Sequence, residues 1–302
     1  MKRVLIIGAS GQDGRLLTQY LQERGDAVLG VGREDLDITN RAEVRKLLKS
    51  TRPDELYHLA AHQHSAEDKQ DDEGALFQTS LQVNVYALVN VLEGIRAEAP
   101  RTKLFYPASS HIFGRPAVTP QDENTPLNPT CIYGITKTSA VHSCRYYRER
   151  HGLHVSVGIM FNHESPYRKP GFVSRKIIEG VAGIALGRQK ELVLGDLSAG
   201  IDWGYAPDYV AAMAQILSLP QADDFVVASG ETHTIREFVE IAFGLANLDW
   251  KQHVVENPAL IAKQRRLLVG DSSKLRSATG WKPSVDFAQL VKILLDSQRH
   301  AK

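Results

Sequence analysis

Three glycines at fixed spacing, in Gly8-Ala9-Ser10-Gly11-Gln12-Asp13-Gly14, stand between an apolar run at 4–7 and an amphipathic segment at 15–24. An apolar run this short, bounded by glycine, reads as a buried strand, and the segment after it as a helix closed by Gly25. The turn between them must be tight and must leave its backbone open. Glycine takes a positive φ there, and without a side chain it lets an anion approach the amides at the positive end of the helix. A tight turn with no ligand would use the same glycines. At the head of a βαβ unit, however, the pattern points to a dinucleotide pyrophosphate at Gly8, Gly11 and Gly14, with Gln12 and Asp13 beside it.

The first half of the chain repeats this alternation. Strands are predicted at 27–31, 55–59, 103–108 and 154–160, and helices at 43–50, 76–99 and 132–151. Such alternation predicts an α/β fold, a Rossmann-type doubly wound parallel sheet with helices on both faces. Beyond Phe161 the rhythm loosens into helices at 173–186, 209–217 and 235–245, with short strands at 192–194 and 225–228. We read residues 1–160 plus about 205–230 as the dinucleotide-binding domain. Residues of about 161–204 plus 231–302 form a smaller, partly interleaved C-terminal domain over the ligand cleft.

Charge narrows the partners. The chain has 36 Lys and Arg against 35 Asp and Glu, a formal net charge of +1, so no global field recruits nucleic acid or a membrane. Cys131 and Cys144 cannot form a disulfide framework, and His58, His62, His64 and His163 fit no metal-site spacing, so no metal is expected. The apolar part of the N-terminus is too short for a signal peptide, and no stretch approaches about 20 apolar residues. The expectation is a soluble, cytoplasmic protein.

Two further patterns carry chemistry. Tyr133-Gly134-Ile135-Thr136-Lys137 opens a long helix, and the i, i+4 spacing puts phenol and ammonium on one face. A lysine charge there would lower the Tyr133 pKa and make it a usable acid and base. Ser109 and Ser110 close the fourth strand at the edge where such sheets bind ligands. After the second strand, Arg33 can fork onto a 2′-phosphate, which favours NADP over NAD. A solvated loop arginine is the alternative, since Glu34 and Asp35 follow it. Asp37 can meet the adenine.

With these segments in order, the chain resembles the extended short-chain dehydrogenase/reductases. The match is to their nucleotide-sugar branch, typified by GDP-mannose 4,6-dehydratase and GDP-4-keto-6-deoxymannose reductase. The marks are GASGQDG at 8–14, HLAA at 58–61, PASSHIFG at 107–114, YGITK at 133–137, FNHESP at 161–166, GFVSRKI at 171–177, LGDLSAGIDWGYAPDYV at 194–210 and GWKP at 280–283. The resemblance implies an NADP-dependent enzyme acting on a nucleotide sugar. Tyr133 would exchange the proton of the sugar C4 hydroxyl, Lys137 would hold the nicotinamide ribose, and Ser109 would bond the C4 oxygen. Leu59, Ala60 and Ala61 would flank the cofactor. Ser110 and Asn162 would meet the substrate, and Val173 and Lys176 would line the base pocket. It also implies a homodimer paired through the helices at 76–99 and 132–151.

Three departures stand out. Where the resembled dehydratases carry a glutamate that removes the C5 proton, this chain has His111. Two arginines expected near the diphosphate are replaced by Ile201 and Ile261, with Arg265 and Arg266 near the second. An imidazole can take the glutamate's role at neutral pH, so a 4,6-dehydratase leads the reading. A 4-keto-6-deoxy nucleotide-sugar reductase or an epimerase on the same scaffold is the alternative, and a non-catalytic NADP-binding regulator the remote one.

Overall fold

The computed structural model describes residues 1–63, 72–257 and 267–300, with the side chains of 299 and 300 excepted. In chain order its first half runs β1 (Arg3–Ile7), α1 (Gln12–Glu23), β2 (Ala27–Val31), α2 (Arg41–Thr51), β3 (Glu55–His58), α3 (Glu73–Leu81), α4 (Ala87–Glu98), β4 (Lys103–Ser109), α5 (Ile132–His151) and β5 (Val155–Met160). The second half adds β6 (Asn162–Glu164), α6 (Val173–Ala185), β7 (Leu192–Leu194), β8 (Gly200–Ile201), β9 (Trp203–Tyr205), α7 (Ala206–Ser218) and β10 (Asp224–Val227). It ends with β11 (His233–Thr234), α8 (Ile235–Leu245), β12 (Val254–Glu256), α9 (Ser273–Thr279) and α10 (Phe287–His300).

Six parallel strands form the central sheet in the order β10-β5-β4-β3-β1-β2. Alternation along β1 builds both layers at once. Leu5 and Ile7 pack with Val44 and Leu48 of α2, Leu88, Val91 and Leu92 of α4, and Ala140 and Val141 of α5. Val4 and Ile6 pack on the other face with Leu17 and Leu21 of α1 and with Val210, Met213 and Leu217 of α7. A period of two along a strand buried on both faces requires this apolar run. Strand order reverses between β1 and β3, so the loops that leave their carboxyl ends diverge and open a crevice. A third cluster lies outside the sheet: Ile177 and Val181 of α6, Trp203, Phe238 and Phe243 of α8, and Leu290, Val291 and Leu294 of α10. Asp224, 4% exposed, ties β10 to α5 through Arg145 at 2.6 Å and Arg148 at 2.9 Å.

The structure corrects the sequence reading at the helix expected over 76–99. It starts earlier and is interrupted by a π-helical turn at Gln82–Tyr86. That wide turn brings Asn84, 1% exposed, inward, where its amide donates to the His62 carbonyl oxygen at 3.1 Å and to Thr136 Oγ1 at 3.0 Å. The same run, Glu73–Glu98, is by length and composition apolar enough to cross a bilayer, against the expectation of no such stretch. Its apolar residues have another destination, since Leu88, Val91, Leu92 and Ile95 are fully buried in the sheet core.

Candidate active site

The glycine loop is shaped by contacts that leave no room for side chains. Gly8 has φ +94°, and a Cβ there would meet the Ala60 nitrogen at 2.6 Å and the Leu59 carbonyl carbon at 2.9 Å. The loops after β1 and β3 therefore touch, which places Leu59, Ala60 and Ala61 beside the glycine turn. Gly14 lies against the loop's own backbone, its Cβ position 2.6 Å from Ala9 Cα. Gly14→Ala is expected to cost about 1–3 kcal/mol, read as a lower urea midpoint, because only backbone movement relieves the overlap. Gly11 differs: a Cβ would approach only the Gly8 carbonyl oxygen, at 3.6 Å. Packing does not demand this glycine, and it caps α1 with no side-chain hydrogen bond, so the first amides of the helix stay open to an anion.

Gln12 and Asp13 are engaged within the protein. The Gln12 amide donates to the His163 carbonyl oxygen at 3.2 Å, and its Oε1 accepts from Ser165 Oγ at 2.9 Å. Both Asp13 oxygens lie 3.1 Å from His163 Nε2. Burial opposes charge on both groups, but their mutual attraction outweighs it and holds the Asp13 carboxyl below and the His163 imidazole above the usual range. Asp13 thereby also pins the glycine loop to β6. Arg33 is exposed on the loop after β2, whose Gly32 N–H donates to Asp35 Oδ2 at 2.7 Å. Asp37 is turned to its own loop, accepting from Thr39 N–H and Oγ at 2.9 and 2.7 Å.

The catalytic candidates converge at the carboxyl edge of β4. Ser109 ends the strand, and its Oγ accepts the His111 N–H at 3.3 Å, capping the short 3₁₀ turn Ser110–Ile112. Ser110 faces inward, 3% exposed. The His111 ring meets the Tyr133 ring edge-on at 5.9 Å, and its Nδ1 is 3.6 Å from Cys131 Sγ. Lys137 lies one turn along α5, its Nζ 5.7 Å from the Tyr133 ring centre.

The expected activation of Tyr133 by Lys137 is not what the geometry gives. Burial pushes the Tyr133 phenol up, with Arg168 the largest opposing influence. Burial also drives the Lys137 ammonium down to about 7, so its charge is itself weakly held. Its Nζ donates to the Pro107 carbonyl oxygen at 2.7 Å and stands 4.5 Å over the Tyr106 ring. Behind it His58, fully buried, stacks on Tyr106 and is pushed down to about 3 by burial and by Lys137.

On the far side of the cleft, Asn162 stands on β6, paired in register with Trp203, while Val173 and Lys176 lie in the first turns of α6. All three are part-buried. Ile201 is part-buried in β8. His62 is tied to Asn84 and Ser80, and among the described residues no group of His, Cys, Asp and Glu could hold a metal ion. His64, Ile261, Arg265 and Arg266 lie outside the described residues.

With this geometry fixed, likeness to known proteins becomes informative. The sequence model of the family described as GDP-mannose 4,6 dehydratase matches residues 34–294. The chain belongs to that family. GDP-mannose 4,6 dehydratase 1 of Arabidopsis thaliana is 35% identical over 327 aligned positions, covering 98% of this chain and 89% of that relative. GDP-mannose 4,6-dehydratase of Vibrio cholerae is 31% identical over 361 positions, covering 99% and 96%. Among solved structures, RMD from Pseudomonas aeruginosa, complexed with NADPH, superposes with a TM-score of 0.87 at 27% identity, covering 98% of this chain and 99% of that one. The dTDP-glucose 4,6-dehydratase from Bacillus anthracis, in complex with NAD, gives 0.83 at 19% identity, a likeness of fold.

Against the Vibrio protein, 99% of this 302-residue chain is spread over 361 aligned positions, so that relative carries insertions this chain lacks. The sequence reading also missed two features of the site. One is Cys131, whose partner His111 lies 20 residues away. The other is Arg168, whose guanidinium stacks 3.7 Å over Phe172 and whose Nε makes an ion pair, without hydrogen-bond alignment, with Glu164 at 3.2 Å. Its position two residues after FNHESP was the available signal.

Proposed function

We propose that this chain is an NADP-dependent nucleotide-sugar 4,6-dehydratase with His111 in the place of the family's glutamate. One observation carries the reading: Ser109 of β4, His111 of the 3₁₀ turn after it, and Tyr133 and Lys137 of α5 meet at the sheet edge next to the glycine loop. The glycine loop fits a dinucleotide, because Gly11 is small without a packing reason and α1 has an uncapped N-terminus. Gly8, Gly11 and Gly14 would hold the pyrophosphate, Leu59, Ala60 and Ala61 would flank it, and Arg33 would face a 2′-phosphate. When bound, the nicotinamide supplies the hydride acceptor and donor for the sugar carbons. Residues 1–160 plus about 205–230 serve this cofactor, and about 161–204 plus 231–302 serve the substrate.

Each residue then has a defined task. Ser109 bonds the C4 oxygen, and Tyr133 takes the proton of the C4 hydroxyl. Lys137 holds the nicotinamide ribose. A ketone at C4 acidifies the C5 proton, which His111 removes and passes to the departing C6 hydroxyl, so that water leaves; a proton delivered back to C5 as hydride is added at C6 completes the 4-keto-6-deoxy sugar. Ser110 and Asn162 meet the sugar and its phosphate, and Val173 and Lys176 the base. We place the enzyme in the cytoplasm as a dimer through α4 and α5, whose exposed Tyr86, Ile135 and Tyr146 lie on or beside these helices. Incubation of the purified protein with GDP-mannose is expected to give a 4-keto-6-deoxy product lighter by one water. An unchanged substrate mass over many enzyme equivalents rejects the dehydratase.

A reductase of 4-keto-6-deoxy nucleotide sugars is the second reading. It is favoured by the short chain and by the burial that keeps the Tyr133 phenol protonated, the state a proton donor to a C4 oxygen needs. Stoichiometric loss of NADPH absorbance with a 4-keto-6-deoxy nucleotide sugar selects it over the dehydratase, which regenerates its cofactor.

A further inference from the structure

Asp13 poses a charge problem that the glycine loop itself does not solve. It stands in the first turn of α1, where open amides and the positive helix end suit an anion. A carboxylate is stabilised by that same field, and it repels a pyrophosphate brought to the same helix end. Left bare, Asp13 works against the site that its own loop forms.

The side chain opposite is the buried His163 of β6. Its Nδ1 lies 2.7 Å from the Phe161 carbonyl oxygen, and its Nε2 lies 3.1 Å from both Asp13 oxygens. A carbonyl can only accept a hydrogen bond, and so can an ionised carboxylate. The partners therefore require a donor at both nitrogens, and an imidazole with two N–H groups is a cation.

Other residues are arranged around this ring. Tyr209 of α7 stacks on it with ring centres 4.6 Å apart, offering a π face to the charge. Gly204 pairs with His163 across β6 and β9, and a Cβ there would overlap the Tyr209 ring. Gly204 has no positive φ, so room for Tyr209 is the reason for this glycine. Burial and the nearby Arg168 oppose the charge on His163, and Asp13 with the Phe161 carbonyl outweighs them. Tyr209 and, from α5, Tyr133 are the other titratable groups near the pair, and burial keeps both phenols protonated.

We propose that His163 is the counter-charge of the glycine loop: its imidazolium, donating from both nitrogens, offsets the Asp13 carboxylate and leaves the start of α1 open to the cofactor pyrophosphate. His163 thus acts through Asp13, as a positioning residue. The effect on cofactor binding rests on the dinucleotide reading of the loop, whereas the charge on the ring is a property of the protein without ligand.

Nitrogen-15 NMR of histidine-labelled protein reads the charge, with the His163 signals identified by their loss in His163→Gln. Wild-type His163 is expected to keep both nitrogens protonated past the ordinary imidazole pKa of about 6.5. Asp13→Asn should bring its titration back to that value or below. NADPH affinity, titrated by fluorescence at about pH 6.5, gives the second readout. His163→Gln keeps a donor toward Asp13 but carries no charge, and should weaken binding about tenfold. Adding Asp13→Asn removes the uncompensated carboxylate, and the double variant should return to within about threefold of wild type. Loss of packing alone predicts no rescue, because the second substitution restores no volume. A wild-type His163 that is neutral at about pH 6.5, or a double variant that binds no tighter than His163→Gln, overturns the proposal and leaves the cofactor reading untouched. A wild type that binds no NADPH while His163 titrates high would reject the cofactor reading, and the counter-charge role with it.

Discussion

Tyr133→Phe is expected to lower turnover by about 10²–10⁴-fold, the range for loss of a positioned acid or base. The substitution removes one oxygen from a part-buried ring in the first turn of α5. Among the described residues that hydroxyl has no hydrogen-bond partner, so its removal strands nothing, and thermal stability should change by less than about 0.5 kcal/mol. NADPH affinity, titrated by fluorescence, should stay within about twofold, because the pyrophosphate contacts fall to the glycine loop and the open start of α1 and not to the Tyr133 hydroxyl. A fall in kcat with binding and stability intact assigns the proton to Tyr133 in both the dehydratase and the reductase schemes. Turnover above about a tenth of wild type removes Tyr133 from both.

The size of that effect depends on how the phenol is tuned, and here sequence and structure part. The Y-x-x-x-K spacing does place both side chains on one side of α5, but spacing says nothing of solvent. Burial taxes the phenolate and the ammonium alike, which pushes Tyr133 up and brings Lys137 to about 7. The Lys137 ammonium is present below that value and lost above it. A negative charge brought near Nζ by a bound ligand would stabilise the ammonium, raise its pKa and restore its pull on the phenol.

The parallel sheet was legible because β1 to β5 are apolar runs of strand length separated by helices, a pattern with few other solutions. The glycine loop was legible as spacing, and only the structure separates Gly8 and Gly14, which packing demands, from Gly11, which it does not. The break in the helix at 82–86 was hidden because its cause, the Asn84 amide reaching Thr136 and His62, is a contact between distant residues. The Asp13–His163 and Cys131–His111 pairs were hidden for the same reason. The loop position of Asp13 could be read from spacing, but its partner stands 150 residues away. Period and composition locate elements; they do not say which polar groups those elements bring together.

His111→Gln carries the other large effect. Glutamine preserves a hydrogen-bonding side chain of similar size but cannot titrate. His111 is exposed at the cleft edge, so the fold should be unaffected. If His111 removes the C5 proton, turnover should fall by about 10²–10⁴-fold with NADPH affinity unchanged. The sign of the pH dependence follows from the role. A base must be neutral at the start, so wild-type activity is lost as pH falls and the imidazole takes up a proton. An acid would instead lose activity as pH rises. The glutamine variant should therefore keep a small residual rate whose acidic limb is gone. Deuterium exchange at C5 sharpens the test: in D₂O the wild type should incorporate solvent deuterium into the 4-keto product, and His111→Gln should do so no faster than its residual turnover. Wild-type turnover and pH profile in the variant would leave the dehydratase scheme without a base at C5, and the reductase reading, which needs only Ser109, Tyr133 and Lys137, would take its place.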